Sequence, residues 1–125
     1  MRTLILWPAL MAALAAGCSG DAGSAAGKYD SARAREVLTV ALDAWKGGTA
    51  RDLTRLRPPI RFVDDDHKAG FRLERHQLAE PDQPIQPYAS VPVDLTLRDA
   101  SGASIRRRVS YQIGLEPGLS VLRGD

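Results

Sequence analysis

The chain has 125 residues, 17 Lys and Arg against 15 Asp and Glu, and a formal net charge of +2. Arginines outnumber lysines 14 to 3, but the acids are interspersed among them, which argues against a polyanion such as nucleic acid as partner. Cys18 is the only cysteine, so no intramolecular disulfide can form.

Residues 1–17 differ in kind from the rest. Met1-Arg2-Thr3 is a short positive start, and Leu4 to Ala16 carries no charge. This is the layout of a secretory signal peptide. The apolar run is shorter than the roughly twenty residues a membrane-crossing helix needs, and Pro8 lies within it. It closes in Leu14-Ala15-Ala16-Gly17-Cys18, which resembles the lipobox of bacterial lipoproteins. Ala15 stands where that family most often has Leu, with Leu14 one place earlier.

The resemblance implies cleavage before Cys18 and a diacylglyceryl group on its thiol. Small residues precede the cut because the peptidase must take an extended backbone into its cleft. Two or three acyl chains anchor stably where one holds only marginally. The expected location is therefore the cell envelope, with lipid on Cys18 as the contact to the membrane. Ser19 is not the Asp that resembles an inner-membrane retention signal, so the default is the outer membrane, facing the periplasm. The alternative is a secreted soluble protein in which Cys18 is an incidental thiol. Residues 18–29 continue in small and polar types and read as a flexible tether.

Residues 30–125 read as a single domain, large enough for one core and not for two. From Ser31 to Lys46, apolar Ala34, Val37, Leu38, Ala41, Leu42 and Trp45 recur at three- and four-residue spacing, predicting an amphipathic helix. Asp30 or Ser31 can cap its start, and Gly47-Gly48 supplies a left-handed residue to end it. Thr49 with Asp52 resembles a second N-cap, predicting a short helix over about 50–56 that carries Leu53 and Leu56 before Pro58-Pro59.

After the prolines the period falls to two. Strands are expected at Ile60–Val63 and Phe71–Leu78, joined by an exposed polar turn at Asp64-Asp65-Asp66-His67. A Pro-rich connection, Ala79–Ser90, leads to Val91, Val93, Leu95 and Leu97, which alternate with polar residues, as do Ile105, Val109, Tyr111 and Ile113. Pro81 to Pro92 reads equally as a recognition loop in extended polyproline conformation or as a plain strand connection. Apolar positions are odd-numbered on both strands, so they face the same side only across an odd loop, and Ala100-Ser101-Gly102 suits it. That register sets Leu97 against Ile105, Leu95 against Arg107, Val93 against Val109 and Val91 against Tyr111. A last strand, Leu119–Arg123, follows Glu116-Pro117-Gly118.

Helices followed by strands predict an α+β fold, with the two helices packed on a curved antiparallel sheet of four to five strands. The element order resembles the cystatin-like and nuclear-transport-factor-2-like folds, in which such a sheet wraps an N-terminal helix. Ala41-Leu42-Asp43-Ala44-Trp45-Lys46, Pro58-Pro59-Ile60 and Ser120-Val121-Leu122-Arg123 also resemble small bacterial lipoproteins of unassigned function.

Catalytic patterns are not met. His67 and His76 lack metal spacing, and no further cysteine completes a zinc site, so no metal and no cofactor is expected. Neither a nucleophile elbow nor a phosphate-cradling Gly-rich loop occurs. Asp94 and Asp99 lie on the outward face or near the turn, and Glu74 alternates away from Phe71 and Leu73. The Asp-rich turn lacks the glycine and closing Glu of a calcium loop. Trp45, Tyr111 and Arg107 are the candidate pocket residues, although core packing accounts for the two aromatics. Arg107 is expected to lay its stem along the core and its guanidinium at an edge. The function expected is a non-catalytic protein-interaction module with an unknown envelope partner; the alternative is a small-ligand binder using a cavity between helix and sheet.

Overall fold

In the computed structural model residues 29–124 are described; the leader, Cys18 and the tether up to residue 28 lie outside them. Helix α1 spans Ser31–Lys46 and buries Ala34, Val37, Leu38, Ala41, Leu42 and Trp45 along one stripe. The Asp30 carboxylate accepts from the Arg33 amide at 3.0 Å, closing the N-terminus. At the other end Gly48 takes φ 78, the left-handed residue that lets the chain leave the helix. The second helix is one 3-10 segment, Ala50–Arg55, and buries only Leu53. Thr49 makes no cap to it and donates back to the Ala44 carbonyl instead; Leu56 is exposed.

Five strands follow: β1 Ile60–Val63, β2 Arg72–Leu78, β3 Val91–Arg98, β4 Ser104–Gly114 and β5 Leu119–Arg123. A single turn of helix, α2 (Asp65–Lys68), separates β1 from β2. The sheet order is β1-β5-β4-β3-β2, and the helices pack on its curled inner face, an α+β architecture. The β3–β4 hairpin has the expected register, Leu97 against Ile105 through Val91 against Tyr111. Its turn is held by Asp99, whose Oδ1 accepts from the Ser101 amide and hydroxyl and from the Ala103 amide, with Gly102 at φ 91.

Two features depart from the sequence expectation. The sheet is mixed: β1 pairs with β5 in parallel, Ile60 against Leu119 through Val63 against Leu122. Thus β1 and β2 are opposite edges of the sheet, and the segment between them is a crossover rather than a hairpin turn. The second departure is a bulge in β2. Leu73 pairs with Leu97 but Arg75 pairs with Thr96, so Glu74 is an extra residue and the inward parity changes from odd to even. Leu73 and Leu78 therefore both face the helix, and His76 turns inward, where its Nε2 lies 2.7 Å from Asp43 Oδ1 on α1.

The core joins α1 and Leu53 to all five strands, β1 through Ile60, and includes Ile85 from the Pro-rich connection. That connection is docked at the start of α1. Ile85 donates its amide to Ser31 Oγ at 2.7 Å, and Arg35 donates to the carbonyls of Pro81 and Gln83 at 2.7 and 3.0 Å. Nearby, Tyr29 donates its hydroxyl to the Ile113 carbonyl at 2.7 Å, fixing the entry of the chain to β4. Burial holds its pKa above the ordinary tyrosine value.

Candidate functional site

Three places gather chemistry-bearing side chains. The first is the crossover after β1, where the expected exposed turn proves to be partly interior: Asp64 is 0% and Asp66 6% exposed. Asp64 caps α2 by accepting from the His67 amide at 2.9 Å. Its carboxylate also accepts from the Tyr111 hydroxyl in a short bond and from Arg123 Nη1 at 3.2 and 3.3 Å. Arg123 Nη1 lies 3.0 Å from Asp66 Oδ2, and Arg107 Nη1 lies 3.6 Å from Asp66 Oδ1. Two carboxylates thus meet two guanidiniums, satisfying the rule that a buried charge needs partners.

Within this network the Tyr111 pKa is raised strongly, first by burial and then by the adjacent Asp64 carboxylate, which disfavours phenolate. The arrangement leaves no isolated carboxylate between apolar walls, the environment that raises a general base. Among the described residues no group of three or more His, Cys, Asp or Glu is placed to hold a metal ion.

The second place is an open cleft of about 710 Å³ at the C-terminal end of α1, bordered by Trp45, Gly48, Arg51, His67, Phe71 and Arg72 among others. Trp45 donates its indole N–H to the Phe71 carbonyl at 2.9 Å. Its ring is packed against Phe62 and edge-on to His67, at centroid distances of 5.9 and 5.6 Å. Trp45 is 5% exposed, so it supports the cleft floor more than it faces the opening.

The three residues proposed for one pocket are therefore apart in role. Trp45 borders the cleft, whereas Tyr111 is 0% exposed and spends its hydroxyl on Asp64. Arg107 follows the expected register opposite Leu95. Its side chain is 42% exposed and its guanidinium lies 5.7 Å from the Phe71 ring centroid, a cation–π contact at the margin of the core. Cys18 lies outside the described residues.

The third place is in the Pro-rich connection. Tyr88, at the end of the Pro-rich connection, is 94% exposed and holds φ 62. A non-glycine residue in the left-handed region is uncommon, and such backbones persist where their surroundings impose them. Arg35, Ser31 and buried Ile85 fasten the connection at residues 81–85, and the Ala89 amide donates to the Gln86 carbonyl at 3.3 Å across the turn that holds Tyr88. The available signal was an aromatic set in a stretch with Pro84, Gln86, Pro87 and Ser90, outside any periodic apolar pattern. No family model, no curated protein and no solved structure matches this chain.

Proposed function

We propose that the chain is an exported lipoprotein anchored at the cell envelope through Cys18, and that its domain is a non-catalytic protein-interaction module. Tyr88 carries the reading. A large aromatic ring at 94% exposure contributes nothing to its own core. Aromatics of this kind dominate binding energy at protein interfaces. The self-neutralised pairing of Asp64, Asp66, Arg107 and Arg123 supports the non-catalytic part.

Among the described residues no helix is long and apolar enough to cross a membrane. Membrane attachment in this reading is through lipid on Cys18, with the outer membrane facing the periplasm as the default. Intact-mass spectrometry on protein extracted from host membranes tests it. A mature chain beginning at residue 18 and carrying two or three acyl chains is expected, with the added mass lost in Cys18→Ser. An unmodified chain in the soluble fraction overturns the anchor. The module is tested by a photo-crosslinking amino acid at position 88 and, as control, at exposed Gln112. A discrete protein adduct at 88 alone is expected; equal labelling at both sites overturns the reading.

The cleft beside Trp45 supports a second reading, a small-ligand binder, because its volume lies in the range of ligand sites. A saturable change in Trp45 fluorescence with an apolar anion would favour it, and a flat response would remove it.

A further inference from the structure

The outer face of β2–β4, turned away from the helices, carries an arginine array. In register order its rows are Arg72 with Arg98, then Arg75, Thr96 and Arg106, then Gln77, Asp94 and Arg108. Two of these arginines are neutralised. Arg98 donates Nε to Glu74 Oε2 at 2.6 Å, and Arg108 holds Asp94 with two bonds of 2.7 and 3.1 Å. The Asp94 carboxyl is accordingly held below its ordinary pKa, chiefly by the Arg108 hydrogen bond. The middle row has no such acid. Arg75 and Arg106 flank Thr96, and among the described residues neither guanidinium has an ion-pair or hydrogen-bond partner.

The contrast between adjacent rows is the informative point. Like charges on one sheet face destabilise it, and an acid at the central position removes that cost, as Asp94 does one row away. Position 96 instead holds a hydroxyl. Two strand spacings, about 10 Å, separate the flanking backbones, so the two long side chains can converge above Thr96. The row offers guanidinium and hydroxyl donors and borders a depression of about 410 Å³, whose one carboxylate, Asp94, is already held by Arg108. Planar guanidinium forks match the oxygen geometry of phosphate.

We propose that Arg75, Thr96 and Arg106 form a phosphate-class oxyanion site on the outer sheet face. The site is separate from the Tyr88 loop, and its ligand is a phosphate monoester or diester, free or carried by a lipid headgroup. Arg72, exposed in the neighbouring row, adds long-range attraction without belonging to the fork.

Side-chain Nε–H resonances of arginine, recorded on the full chain in neutral micelles, test the proposal. Inorganic phosphate is titrated in one arm; in another, phosphatidylglycerol is doped into the micelle, with phosphatidylcholine as the zwitterionic control. Saturating shifts at Arg75 and Arg106 are expected. Arg75→Gln or Arg106→Gln should weaken binding by about tenfold or more, the size of one charge-assisted bond, whereas Arg61→Gln, an exposed arginine of β1, should leave it unchanged. Saturation with inorganic phosphate assigns a soluble ligand, and saturation with phosphatidylglycerol alone assigns a headgroup. No saturation in either arm, or equal weakening by Arg61→Gln, overturns the site. The backbone amide spectrum of each variant separates lost binding from lost fold.

Discussion

Asp64 is contacted by the α2 backbone, by Tyr111 on β4 and by Arg123 on β5. Replacing it with Ala leaves the Tyr111 phenol without its acceptor and takes from Arg123 one of its two carboxylates, Asp66 remaining at 3.0 Å, and the expected cost is about 2–4 kcal/mol in denaturant unfolding. That is a large share of the 5–15 kcal/mol typical of a domain. Tyr111→Phe removes one neutral donor while Arg123 and the His67 amide remain, so a smaller loss of about 1–3 kcal/mol is expected. Tyr111 also imposes a pH dependence. Its folded pKa is raised, so the unfolded chain releases this proton first; the stabilisation is complete below pH 10.0 and declines as pH rises beyond it. The alkaline decline should be shallower in Tyr111→Phe, measured as unfolding midpoint against pH. Burial of Asp64 was not legible beforehand because its partners lie 47 and 59 residues away in sequence, and three adjacent acids resemble a solvated turn. Arg107 was legible, since strand parity alone assigns it to the inward row.

Among the elements, α1 and the β3–β4 hairpin were readable because each buries one face at its own period, 3.6 or two. The bulge in β2 left a trace that parity reasoning passes over: Leu73 and Leu78 are five apart and cannot both face inward on a regular strand. Parallel pairing of β1 left none, since a four-residue strand carries no mark of its partner's direction. The Pro-rich connection was weighed as recognition loop or plain link, and its docking rests on Ile85, the one residue of that segment in the core. Ile85→Ala should cost about 2–4 kcal/mol if the loop cannot collapse into the space. It should also expose residues 79–90 to limited proteolysis in the folded protein. Cleavage no faster than in the wild type would show that Arg35 and Ser31 hold the loop without it.

At the scale of the whole molecule, the strand order places β5 between β1 and β4, so the sheet's first strand has no partner until its last one arrives. A chain ending before Leu119 would lack both the β1 pairing and Arg123, and the expectation is a loss of cooperative unfolding by circular dichroism. A stop after residue 123 should keep it. This topology also bears on the timing of folding. Domains generally begin to fold as they emerge from the ribosome, but here synthesis must reach the far end of β5 before the network around Asp64 can neutralise itself. For a chain exported as proposed, the delay is useful: the polypeptide stays threadable through a narrow translocation pore, and the act of folding is postponed to the compartment where the domain works.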